Sequence, residues 1–202
     1  ILAAMSYVAV AQCIAADRVL IMTISDYPEQ PLAGVKFDAD NALRLAARLG
    51  YDTSNALILR DRQLTAAGMR EAFRKLSDQV QPNDRVFVYY SGHGASQHKE
   101  GQCVQSLVTQ DLGFVDTAEL ALHLDRVKEK TSDGLVILDA CHSGGNRDIA
   151  VARGLGGKIG QAGAEVTAKA WTPKSGEQCA QPVNRLAKSW QAGSARVARG
   201  MA

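Results

Sequence analysis

Apolar and polar residues fall into alternating blocks along the chain. "RVLIMTIS" (Arg18 to Ser25) is an unbroken apolar run with β-branched residues, bounded by charge on one side and by "DYPEQP" on the other, and reads as a buried strand. In "DADNALRLAARLG" Ala42, Leu45, Ala46 and Leu49 share one face and Gly50 lies just past the end, which predicts a helix with a C-terminal stop. "NALILRD" (Asn55 to Asp61) is a second strand. "TAAGMREAFRKLSDQV" sets Met69, Ala72, Phe73, Leu76 and Val80 at helical spacing, and "QPND" turns the chain. "RVFVYY" (Arg85 to Tyr90) is a third strand ending in "SGHGAS", after which a polar loop leads to "CVQSLVTQD", a small strand or hairpin. "FVDTAELALHLDRVKEK" runs as a helix opened by Asp116 and Glu119 at the spacing of a capping box, and "LVILD" is the fourth strand.

Unbroken apolar strands alternating with helices indicate parallel strands covered on both faces, so the fold class is α/β. Beyond Gly145 the pattern weakens into Gly, Ala, Ser and Lys, and no run there resembles another buried strand. The opening differs again: "ILAAMSYVAVAQCIAAD" has no charge until Asp17 and is rich in Ala, like the apolar core of an export signal. Ala9-Val10-Ala11, Ala15 and Ala16 offer small residues for cleavage, and the run is short for a membrane span of about 20 residues. The charged start of a signal is missing because the chain begins at Ile1, and the alternative is a buried first strand or helix. The expected organisation is a signal-peptide remnant at 1–16, a domain at 17–150, and a flexible connection at 151–202 towards a missing C-terminal part, with the mature protein exported.

Composition narrows the partners. At 202 residues, 46% apolar with net charge +2, this is ordinary globular polarity. Basic residues are scattered and aromatics make up only 5%, which argues against nucleic acid as a partner. Of four cysteines, Cys13 would leave with the signal, and Cys103 and Cys179 could pair in an oxidising compartment. No metal-binding C-x-x-C spacing is present.

Two apolar strands end in Gly-bracketed polar clusters, "SGHGAS" and "DACHSGG", and in open α/β sheets ligand sites gather beyond the carboxyl ends of strands. Cys141 and His142 are neighbours, but successive side chains near a strand end point to opposite faces, so they should diverge. A histidine at the end of an adjacent strand can face the thiol, and His93 is placed to do so, between glycines that let the backbone turn sharply. A thiol of ordinary pKa needs such a base, or a helix N-terminus, to become a nucleophile. Backbone N–H groups at the turn could stabilise an oxyanion. Against this stand a buried, inert Cys141 and a structural His93; His98 and His123 read as surface or helix-face residues. A zinc site from Cys141, His142 and His93 lacks an evident fourth ligand.

"YYSGHGAS" and "ILDACHSGG" together resemble the two catalytic signatures of caspase-like cysteine peptidases, closest to the metacaspase and bacterial orthocaspase branch. The similarity runs over roughly Arg18 to Asp148 and includes "LAGVKFDADNALRLAARLG". The resemblance implies a caspase-like open, mainly parallel sheet with helices on both faces, here with its C-terminal strands missing. It implies Cys141 as nucleophile and His93 as general base and acid, working through a thioester acyl-enzyme, with the N–H groups of Gly94 and Cys141 as oxyanion hole. It further implies an acidic pocket selecting Arg or Lys before the scissile bond, matched by Asp38 and Asp139 with Ser91 at the rim. Asp38 could instead cap a helix, and Asp40 could take either role. The expected partner is therefore a protein or peptide substrate, with no membrane association after signal removal; the oligomeric state is open.

Many metacaspases are activated by calcium. Asp116 and Asp148 fall where the family has acidic ligands, but Thr117 and Gly101, with Glu100 adjacent, stand in place of two others. Calcium favours many oxygen ligands, so no cofactor is required and calcium stands as an optional activator, with Asp116 alternatively capping its helix. Arg147, Arg153 and Lys158 would be self-processing sites if specificity is basic. The rival readings are a catalytically silent caspase-like binding or regulatory module, and another thiol hydrolase or acyltransferase on the same sheet.

Overall fold

The structure, a computed structural model, describes residues 15–140 and the strand at 186–190. The strands are β1 (Asp17–Thr23), β2 (Leu57–Arg60), β3 (Arg85–Ser91), β4 (Gly94–Lys99), β5 (Gln102–Val108), β6 (Phe114–Asp116), β7 (Asp133–Asp139) and β8 (Leu186–Trp190). The helices are α1 (Asp38–Arg48), α2 (Ala66–Gln79) and α3 (Thr117–Lys128). One sheet has the order β2-β1-β3-β7-β8, in which β2, β1, β3 and β7 are parallel and β8 is antiparallel to β7. A second, antiparallel sheet has the order β4-β5-β6.

The central strands are buried on both faces, which is why they appear in the sequence as continuous apolar runs. Alternate residues separate into two cores. Leu20, Met22, Val86, Val88, Tyr90, Val136 and Leu138 pack with Met69, Phe73, Leu120 and Leu124 of α2 and α3. Val19, Ile21, Phe87 and Tyr89, with Leu135 and Ile137 at the margin, pack with Ala39, Ala42 and Ala46 of α1. Small alanines on α1 let that helix lie close to the sheet. The five residues expected in the core here, four on α2 and Val80 at its C-cap, are all buried, and Thr65 caps the helix by accepting the Gly68 N–H at 3.1 Å.

Several local expectations are corrected. Leu49 is 48% exposed, because α1 stops at Arg48 and the chain turns at Gly50 with φ +83°. Strand β4 begins at Gly94 within "SGHGAS" and continues to Lys99 through residues read as a polar loop, and Phe114–Asp116, read as the opening of a helix, is strand β6. The Asp116 capping box does not form: no side-chain bond caps α3, and Glu119 instead pairs with Arg70 at 2.6 Å. Within 151–202, where no strand was expected, β8 adds to the sheet edge through "LAKSW", a sequence with no apolar run to announce it. Of the expected signal segment at 1–16, residues 1–14 lie outside the described residues, and the Ala16 N–H donates to the Asp84 carboxylate at 2.8 Å.

Candidate active site

Three predicted pocket residues meet at the carboxyl end of the parallel strands. Ser91, the last residue of β3, points to the α1 face, as Phe87 and Tyr89 do before it. Its hydroxyl donates to Asp38 Oδ2 at 2.6 Å, where Asp38 opens α1. Asp139, the last residue of β7, is Ser91's register partner, and the Gly92 N–H donates to the Asp139 carbonyl at 3.5 Å. The N-cap position of α1 is held by Phe37, and Asp38 is the first helical residue. Asp40 is turned elsewhere, exposed and paired with Arg60 at 2.8 Å.

His93 follows two residues after Ser91 and is buried. Its Nε2 lies 2.6 Å from the carbonyl oxygen of Gln30. A carbonyl oxygen can only accept, so Nε2 carries the hydrogen, and in the neutral ring Nδ1 is then the basic nitrogen. Gln30 reaches this position with a left-handed backbone, φ 54°. Tyr27, from the same turn, is buried with its ring centroid 4.5 Å from that of His93. Neither Gln30 nor Tyr27 was singled out from the sequence. Gln30 acts through its main chain, which residue identity cannot show, and Tyr27 sits in a Pro-rich turn that reads as a boundary.

Gly94 begins β4 and is buried. Cys141, His142, Asp148 and the basic residues Arg147, Arg153 and Lys158 lie outside the described residues, which reach the buried Ala140 one position before Cys141. His123 is half-buried on α3, its ring stacked with Phe73 at 6.1 Å, and burial holds its pKa below the ordinary histidine value. His98 falls within β4. Cys103 is exposed on β5 and disulfide-bonded. The other cysteines, Cys13, Cys141 and Cys179, lie outside the described residues.

The described residues around Asp116 do not by themselves form a calcium site, and Asp148 lies outside them. Asp116 Oδ1 accepts from Ser106 Oγ at 2.8 Å and Oδ2 faces the Lys99 ammonium at 3.3 Å, so both oxygens are engaged. Thr117 Oγ1 donates to the Gln105 carbonyl at 3.1 Å. No group of three His, Cys, Asp or Glu residues able to hold a metal occurs among the described residues. Calcium prefers six to eight oxygens, and an ammonium beside the one carboxylate in place competes with it.

The match to the caspase-domain family model spans residues 16–191, most of the chain. The chain belongs to the caspase-domain family. Members of this family are cysteine peptidases, and this caspase domain is of metacaspase type. It is 31% identical over 157 residues to Metacaspase-1 of Eremothecium gossypii, covering 68% of this chain and 34% of that protein. The chain thus spans about a third of the length of that relative. The crystal structure of a protein from Geobacter sulfurreducens is similar in fold, with a TM-score of 0.50 at 19% identity, over 62% of this chain and 50% of the other. The mainly parallel sheet with helices on both faces is that of a caspase-like domain.

Proposed function

We propose that this caspase domain is an exported cysteine endopeptidase that cleaves after Arg or Lys with Cys141 and His93. The observation that carries the reading is the Nε2–H of His93 held on the Gln30 carbonyl, which presents Nδ1 as a base. It does so at the strand end beside Asp139, two residues before Cys141. In the proposed reaction Nδ1 takes the Cys141 thiol proton and Sγ bonds to the substrate carbonyl carbon. The resulting oxyanion lies against the N–H groups of Gly94 and Cys141. Collapse breaks the C–N bond, the amine leaves with the proton from His93, and a thioester remains. Water, losing a proton to His93, attacks the thioester; the Cys141 thiol is restored and the acid released.

The basic preference draws on Asp38 and Asp139, brought to one edge by Ser91, since two carboxylates can take a guanidinium in bidentate fashion. Export draws on the disulfide at Cys103, a bond that persists in oxidising compartments. Calcium is not part of the proposal. The test is turnover of peptide amides ending in Arg, Lys, Asp or a neutral residue, by the chain and its Cys141→Ala and His93→Ala variants. Cleavage after Arg and Lys, lost in both variants, is expected; a folded wild type inert towards every peptide would sink the reading.

A further inference from the structure

Tyr27 and Tyr90 are buried side chains, 3% and 0% exposed, from a turn and from β3. A buried phenol group is costly unless its hydroxyl is bonded, and an apolar core of this shape could be filled by Phe. Both hydroxyls instead converge on one residue. The His93 N–H donates to Tyr27 Oη at 2.9 Å, and Tyr27 Oη donates to the Val108 carbonyl at 3.0 Å. Tyr90 Oη donates to the His93 carbonyl at 2.9 Å, lying equally close to the Val108 carbonyl, and the two hydroxyls are 3.3 Å apart. The Val108 N–H donates to the His93 carbonyl at 3.0 Å.

These contacts fix the peptide groups on both sides of His93. With N–H and C=O both tied, φ and ψ of His93 have little freedom, and the direction of its Cα–Cβ bond is set. The bond from Nε2 to Gln30 then sets the ring. Tyr27 contributes twice, because it opens the turn that carries Gln30 and its own ring packs on the imidazole. The cradle also joins the two sheets, since Tyr90 lies in β3 while Val108 ends β5. Burial drives the pKa of both phenols well above the ordinary tyrosine value, so the hydroxyls keep their protons across the working pH range.

We propose that Tyr27 and Tyr90 are positioning residues for the hydrolytic reaction: their paired hydroxyls hold the backbone of His93 and so aim its imidazole. The proposal rests on the reading of His93 as base. Its test uses the full chain with Tyr27→Phe and Tyr90→Phe, which keep the rings and delete the hydroxyls. Nitrogen-15 histidine NMR, with His93 assigned by its loss in His93→Ala, should show a single Nε2–H tautomer in the wild type and an averaged one in the variants. The kcat should fall about 10–100-fold with KM within about threefold, the scale expected when a reacting group is misplaced by up to 1 Å. In a His93→Ala background, Tyr27→Phe should remove nothing further, whereas a general structural role would lower the residual rate by the same factor.

Folded variants with the wild-type His93 tautomer, an unchanged kcat, or an equal loss in the His93→Ala background would overturn the proposal. If Tyr27→Phe does not fold, Tyr90→Phe carries the same readouts. An inert wild type that nonetheless shows the tautomer change would refute the peptidase reading while leaving the hold on His93 established.

Discussion

The most severe single-atom test of the site is Gly92→Ala. A Cβ on Gly92 would lie 2.6 Å from Tyr27 Oη, 2.6 Å from Tyr90 Oη and 2.9 Å from Tyr90 Cζ. Ordinary van der Waals contact begins near 3.4 Å, so both hydroxyls stand too close by most of an ångström. Neither tyrosine can swing aside, since both are buried and their oxygens hold His93 and Val108. Overpacking of this kind costs about 1–3 kcal/mol, and each cradle bond that breaks adds about 1 kcal/mol. We expect a loss of roughly 2–4 kcal/mol in denaturant unfolding, and a kcat/KM lower by about 10²-fold as His93 is displaced.

Two other glycines calibrate the measurement. Gly34→Ala meets nothing within 4 Å and should be neutral within about 0.5 kcal/mol. Gly101→Ala also meets nothing but has φ +76°, so it should cost roughly 1–2 kcal/mol without touching activity. Adding Tyr27→Phe to Gly92→Ala removes one of the clashing oxygens, so the double variant should lose less than the sum of the singles, by about 1 kcal/mol. Gly92→Ala with wild-type stability and turnover, or with strictly additive losses, would refute the steric account.

Three other expectations follow from the same structure. Asp84 is 1% exposed; burial works against its charge, but the N–H groups of Gln81 and Ala16 and the Arg18 guanidinium outweigh this and hold its pKa below the ordinary carboxylate value. Asp84→Asn would set an amide against the donors of Gln81 and Arg18 and should cost about 2–4 kcal/mol at neutral pH. Because the folded pKa is depressed, this increment is present above the unfolded value of about 3.9 and lost as pH falls through the lower folded one, so wild type and variant should converge in acid; a pH-independent gap would refute it. Asp38→Asn and Asp139→Asn should each lower kcat/KM for Arg peptides by about 10–100-fold and leave neutral peptides unchanged, an equal loss on both counting against a charge-reading pocket. Calcium should leave the melting midpoint where a chelator puts it, since ligands that bind only the folded state raise it; a rise that disappears in Asp116→Asn would show that Lys99 yields the site to metal.

The parallel strands were legible because burial on both faces leaves no room for polar residues, as in Phe87 to Tyr90. Strand β4 was not, because its polar residues are taken inside: Ser96 on β4 and Gln105 and Ser106 on β5 are all buried, where antiparallel pairing satisfies the backbone and no apolar alternation survives. The acidic edge was legible by type but not by contact. Ser91 and Asp38 are 53 residues apart, and only the packing of α1 on the face of Tyr89 joins them.

Asp116 shows how a local signal loses to a distant one. Three residues before Glu119 and preceding an apolar stripe, it has the spacing of a helix cap, and its backbone does occupy the N-cap position of α3. The carboxylate, however, has two better offers from the neighbouring strands, the Ser106 hydroxyl at 2.8 Å and the Lys99 ammonium at 3.3 Å. Two partners, one of them a full positive charge, outweigh a single bond to a helix N–H, so the side chain turns to the sheet and Glu119 goes to Arg70. Tyr27 follows the same rule. Its surroundings, "DYPEQP", describe a turn correctly, but its partner His93 lies 66 residues on, and that contact converts a boundary residue into the support of the proposed base.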